Sequence, residues 1–216
     1  MLDELDLLPL SFRTPSEFQI INEYNRLDIQ NIDTDLMAMD KSQLIDFSYS
    51  MFAEFQCPEV DFTVLKKFVQ VVAANYNDNK FHNLSHAVCV QQFVYVLLTK
   101  ATSIQFSNFE AITLLVCALC HDLNHPGLSN KFLNTIVSKI GVLYGFQSTL
   151  ERMHIAVTLL IISDPTYDFL LIPNDKKLEF YTKITEIILV TDLANAHKLS
   201  EEIRHVPLSI ITVFIH

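Results

Sequence analysis

Two short histidine clusters carry the chemistry this sequence could perform: His82-Asn83-Leu84-Ser85-His86 and His121-Asp122-Leu123-Asn124-His125-Pro126-Gly127. They hold four of the eight histidines in the chain, with an aspartate beside one of them. Imidazole and carboxylate groups are the donors a divalent ion takes when its work is to activate water. A metal-dependent hydrolase is therefore the first expectation.

The spacing sharpens it. His82 and His86 are four apart, which places both rings on one face of a helix or a helix start. Alone, the pair reads equally well as two solvated histidines. His121-Asp122 says more, because the run before it, 112–120, is apolar nearly all round and should be buried. A carboxylate presented from the core needs a cation or several donors. The plainer alternative is that His121 and Asp122 neutralise each other at a helix end. His125, four beyond His121, can face the same site and contact its water. Glu151 and His154 are three apart on a later apolar run. They form either a further acid–base pair facing the centre or an exposed polar stripe.

Apolar residues at helical intervals predict helices over 42–55, 64–76 and 86–98. Ser107-Asn108-Phe109-Glu110 is a capping box ahead of a helix over 111–120, which Pro126-Gly127 should close. Further helices are expected over 132–143, 149–162 and 179–199, with a break at Asp164-Pro165. Sustained alternation and hairpin dipeptides are missing. The fold class is all-α, a compact multi-helix bundle.

The chain has 216 residues, half of them apolar and only 3 of them Gly, which suits one globular core. Its net charge of -10 excludes broad attraction to nucleic acid or anionic lipid. Cys57, Cys89, Cys117 and Cys120 read as free, mostly buried thiols. The acidic start lacks a signal-peptide pattern, and the longest apolar runs are too short to span a bilayer. The expectation is a cytoplasmic protein with no nucleic-acid partner and no membrane insertion. The reading leaves room for a homodimer.

His82-Asn83-x-x-His86-Ala87 followed by His121-Asp122-x-x-His125-x-Gly127-x-x-Asn130 resembles the signature of the class I 3′,5′-cyclic nucleotide phosphodiesterases. Phe81, the phrase His125-Pro126-Gly127 and Cys89-Val90 are most similar to the high-affinity cyclic-GMP-specific branch. Glu151-x-x-His154-x-Ala156-Val157 and Val190-Thr191-Asp192-Leu193 are similar to two further family segments. The resemblance implies the family's helical catalytic domain, of the HD-domain type, acting on cyclic GMP and/or cyclic AMP to give 5′-monophosphates. It implies two divalent ions, a zinc and a magnesium or manganese, on His86, His121 and Asp122. His82 would be the general acid for the leaving 3′ oxygen. His125, Glu151, His154 and Thr191 would order water around the metals.

The sequence departs from the family in places. Asn124 stands where an acid is common, Met153 where a histidine is common, and His197 falls one residue late. The family's fourth ligand, an aspartate, and its purine-holding glutamine and phenylalanine lie beyond this chain, so it assigns no substrate-binding residue. The expected organisation is a lead-in over 1–38, a partial catalytic domain over 39–205, incomplete at the C-terminus, and an atypical apolar tail over 206–216. The alternatives are a truncated relative that binds metal or a partner without turnover, and another HD-type metal-dependent phosphohydrolase.

Overall fold

The computed structural model describes residues 11–100 and 105–194. Among these the chain folds into α1 (Arg26–Gln30), α2 (Lys41–Ala53), α3 (Phe62–Ala74), α4 (Leu84–Lys100) and α5 (Asn108–Cys120). It continues through α6 (Asn130–Thr135), α7 (Lys139–Leu143), α8 (Thr149–Ser163) and α9 (Asn174–Val190). No strand forms among the described residues, only an isolated antiparallel bridge between Val60 and Leu170. The all-helical expectation holds.

α5 is the axis of the bundle. Ser107 caps it through the reciprocal box with Glu110, as the sequence predicts. From Ala111 to Cys120 every residue but Leu114 is buried. A helix apolar on all sides is stable only when covered on all sides. α4, α2, α8 and α9 all pack against it. Other starts are fixed in the same local way. Asp40 and Gln43 make a capping box for α2, and Asp61 caps α3. These side chains satisfy amide groups that the first helical turn leaves unpaired.

Three expectations need adjusting. The helix through 111–120 ends at Cys120, with His121 as its C-cap, so Pro126-Gly127 closes the loop and not the helix. The single helix expected over 132–143 is two, α6 and α7. The chain turns at Val137, with φ at +51°, and Ser138 caps α7 by accepting from the Gly141 amide at 3.1 Å. The serine competes with helix continuation for backbone partners. The last helix starts earlier than expected, at Asn174, and stops earlier, at Val190 with Thr191 as its C-cap, while Leu199, His197 and the tail over 206–216 lie outside the described residues. Within 11–38, Ile29 and Leu36 sit in the main core despite their weak periodicity.

A second, smaller core of Leu133, Ile140, Leu150 and Met153 fastens α6 and α7 to the start of α8. The isolated bridge, with Asp61 donating to the Phe169 carbonyl at 2.8 Å, ties the loop after α8 to the turn before α3. No helix among the described residues is long and apolar enough to cross a membrane.

Because α5 is enclosed, shortening one of its buried side chains should be costly. Leu115→Ala is expected to destabilise the chain by about 2–5 kcal/mol. Urea unfolding would measure it, and a loss well under that range would show that α5 is not the central packing element.

Candidate metal centre

The tight turn after α5 carries the first part of the site. The Leu123 amide donates to the Cys120 carbonyl at 3.0 Å and the His125 amide to the Asp122 carbonyl at 3.1 Å. The chain therefore doubles back, and His121, Asp122 and His125 all line one cavity of about 640 Å³. Asn124 takes φ +62° in this turn and Gly127 takes φ +75°. Asparagine tolerates that region and glycine prefers it.

α4 brings the next ring. His86 lies in its first turn, where its amide donates to Asn83 Oδ1 at 3.0 Å. His82 precedes the helix. α8 contributes Glu151 and His154, one turn apart, and the end of α9 contributes Thr191 and Asp192. All eight candidate residues therefore line the same cavity: His82, His86, His121, Asp122, His125, Glu151, His154 and Thr191. The pair at 151 and 154 faces the centre and is not an exposed stripe.

Asp122 sits where three rings converge. Its Oδ2 lies 3.3 Å from His121 Nε2 and 3.5 Å from His86 Nε2, and its Oδ1 lies 3.7 Å from His154 Nε2. Burial would raise the acid's pKa, but the His121 and His86 rings override it and hold the carboxyl well below the usual range. The same pairing raises His121 against the effect of its own burial.

The tautomers decide what this cluster can hold. His121 Nδ1 is 2.8 Å from the Ala118 carbonyl, and His154 Nδ1 is 2.6 Å from the Leu123 carbonyl. A carbonyl only accepts, so each Nδ1 must carry the proton. In the neutral rings both Nε2 lone pairs then point at a carboxylate. Lone pair facing lone pair is repulsive unless a cation lies between, either a proton or a metal. The metal-holding fit is therefore chemical as well as geometric.

Two donor sets are close enough to hold an ion, each within 4.8 Å: His86 with His121 and Asp122, and Asp122 with His125 and His154. The rings separate them. The Gly127 amide donates to His125 Nδ1 at 2.9 Å, so neutral His125 carries its proton on Nε2. That ring is set to donate to water and not to bind a metal through Nε2. The first set has no such obstacle.

Burial pushes the His154 ring down to about 4 and, with the neighbouring His154 charge, the His125 ring down to about 3. Burial also lowers His82, partly offset by Asp122. His82 stacks on His125 with centroids 3.9 Å apart, and Phe81 covers His86 at 4.5 Å. Glu151 is raised by burial, opposed by a hydrogen bond from Asn130 Nδ2 at 2.9 Å. Thr191 donates its hydroxyl to the Ile188 carbonyl at 2.7 Å, which leaves it an acceptor for other partners.

Sequence reasoning did not select Asn130 or Asp192 as site residues, though both line the cavity. Asn130 also accepts from the Leu150 amide at 2.8 Å, joining α6 to α8. Ser148 donates to Asp192 Oδ2 at 2.7 Å, joining the start of α8 to the end of α9. The Gly-x-x-Asn and Thr-Asp motif phrases already contained both residues.

A cavity between helices, with a carboxylate among histidines, points to the class: helical histidine–aspartate proteins with a site able to hold metal. Comparison with known proteins gives the family. The sequence profile of the 3′5′-cyclic nucleotide phosphodiesterase family matches residues 81–208, and the chain belongs to that family. It is 30% identical over 174 residues to the cGMP-specific 3′,5′-cGMP phosphodiesterase 3 of Dictyostelium discoideum, covering 78% of this chain and 37% of that protein. It is 31% identical over 142 residues to the human high affinity cGMP-specific 3′,5′-cyclic phosphodiesterase 9A, covering 65% of this chain and 24% of that one. The phosphodiesterase domain of the RhoPDE fusion protein from the choanoflagellate Salpingoeca rosetta superposes with a TM-score of 0.76 at 28% identity. That match covers 87% of this chain and 63% of the solved domain. The chain thus spans between a quarter and two fifths of these two curated relatives' length.

Two buried neutral histidines make the metal-free fold sensitive to acid. Their folded pKa values, about 4 and about 3, lie below the ordinary histidine value near 6.5. Below pH ~6.5 the unfolded chain takes up protons that the folded chain refuses, so stability falls as pH drops. The melting temperature of the EDTA-treated chain should decline from pH 7 to pH 5, and His154→Gln should flatten that decline. A profile equally steep in the variant would contradict the assignment.

Proposed function

We propose that this chain forms the metal-holding part of a 3′,5′-cyclic-nucleotide phosphodiesterase that opens cyclic GMP and/or cyclic AMP to the 5′-monophosphate. The observation that carries the reading is the convergence of His86 Nε2 and His121 Nε2 on one buried Asp122 carboxylate oxygen. These three residues would hold divalent metal, a zinc with a magnesium or manganese. Bound there, the metal supplies charge against the phosphoryl oxygens and lowers the pKa of a water.

The remaining steps belong to this chain's side chains. His82 lines the site, its pKa lowered by burial and pulled partly back up by Asp122, and gives its proton to the departing 3′ oxygen. His125 offers its Nε2 proton to water, while Glu151 and Thr191 offer acceptors to it. His154, held by the Leu123 carbonyl, turns its Nε2 lone pair toward the same centre. The proposed catalytic unit spans 39–205, after a lead-in over 1–38 and before the tail over 206–216. Four free cysteines fit a cytoplasmic setting.

Two outcomes follow. In the purified chain, zinc content measured by elemental analysis should be abolished by Asp122→Ala and retained in His82→Ala. With zinc and magnesium supplied, His82→Ala should lower turnover of the preferred cyclic nucleotide about 10²–10⁴-fold. Undiminished hydrolysis in that variant would remove His82 from the mechanism. Bound metal with no hydrolysis of either nucleotide by the parent chain would mark a relative that holds metal without turnover.

A further inference from the structure

One side chain outside the histidine set touches both motif loops. Asn79 Nδ2 donates to the His82 carbonyl at 3.0 Å and to the His125 carbonyl at 2.8 Å. Both partners are acceptors, so the amide orientation is fixed by the contacts themselves. The Asn79 carbonyl accepts from Asn83 Nδ2 at 3.0 Å, and Asn83 Oδ1 accepts from the His86 amide. The clamp is therefore continuous with the first turn of α4.

The approach is close on its other side. A Cβ placed on Gly127 would stand 2.9 Å from Asn79 Oδ1. With φ at +75°, Gly127 is required there twice over, for its conformation and for the room it leaves. The same glycine's amide fixes the His125 tautomer. Asn77 Nδ2 also donates to the His125 carbonyl at 2.9 Å, but it is Asn79 that links this carbonyl to that of His82, beneath two rings stacked 3.9 Å apart.

By contrast, His121 and His154 are oriented from elsewhere, through Nδ1 contacts to the Ala118 and Leu123 carbonyls. Nothing in the Asn79 contacts reaches them.

We propose that Asn79 is a positioning residue. By gripping the carbonyls of His82 and His125 together through its side-chain amide, it places the His82 ring over the site, while its link toward His86 runs through its backbone carbonyl, which a side-chain substitution keeps. Its catalytic consequence rests on the proton-donor role proposed for His82.

The test uses the full chain with Asn79→Asp, which keeps the shape but removes both donors, and Asn79→Ala, which adds no charge. The first readout is the histidine-ring nitrogen–proton spectrum of the metal-free, nitrogen-15-labelled protein. The His82 and His125 ring signals should shift, and those of His121 and His154 should stay. Unmoved His82 and His125 signals would overturn the proposal. So would the joint loss of all four in both variants, which would make Asn79 a folding residue only. The second readout is turnover with zinc and magnesium. A displaced proton donor should lower kcat for the cyclic nucleotide about 100-fold with KM and metal content unchanged. Hydrolysis of bis(p-nitrophenyl) phosphate, whose leaving group departs without a proton, should be spared. Equal losses on both substrates would overturn the positioning role. If the parent chain hydrolyses neither substrate, the proposed function fails, and the ring spectra still decide the place of Asn79.

Discussion

The structure depends on a carboxylate drawn largely out of water. Asp122 is carried to that place by α5, a helix with no polar face to turn outward. Desolvating a carboxylate is costly unless charge or donors meet it. Imidazoles from three different segments converge on it, with His121 and His86 holding its pKa down, and each must come from somewhere. α4 must start where His86 can reach, α8 must cross where His154 can reach, and the chain must turn sharply after Cys120. The packing of α4 and α8 around α5 is thus bound to one ionic requirement as well as to apolar burial.

The rings are oriented by the backbone, and this is what fits the cluster to hold a metal. Helix ends leave carbonyls without intrahelical partners. Here the Ala118 carbonyl near the end of α5 and the Leu123 carbonyl in the turn beyond it take the Nδ1 protons of His121 and His154. Each Nε2 is thereby left with its lone pair toward Asp122. His125 is set the opposite way by the Gly127 amide. Three chemically identical side chains acquire two different roles from which backbone group each one meets. Metal-bound histidines generally depend on such outer partners for tautomer and aim.

The legible part of the sequence was periodic or dense in chemistry. The apolar run before His121, the Ser107–Glu110 box and the paired histidine motifs led to the helices and to the cavity residues. What escaped was local competition and backbone geometry. The break between α6 and α7 turns on one serine hydroxyl at 138 taking an amide, which hydrophobic spacing over 132–143 does not register. Ile29 and Leu36 are buried by tertiary packing of a segment with little pattern of its own. Asn79 looks like an ordinary loop polar, because what distinguishes it is the pair of spatial neighbours it grips.

The departures from the family pattern fit this view of a site held from outside. Met153 does not enter the cavity. It packs with Leu133, Ile140 and Leu150 in the small core that holds α6 and α7 against α8. A methionine suits such an irregular gap, and the change trades a polar group for anchoring of the segment that carries Asn130. Asn124 occupies a left-handed position in the turn, where an asparagine is favoured over most residues, and its Oδ1 meets Asn77 Nδ2 at 3.4 Å. It supports the loop that presents His125 without adding a further negative charge. Asp122, Glu151 and Asp192 already line the cavity, and Glu151 is raised in part by the other two. A carboxylate whose pKa is raised by neighbouring carboxylates draws cations. A cation taken up there would reverse the local field, and only then would an acidic chain attract an anionic phosphodiester.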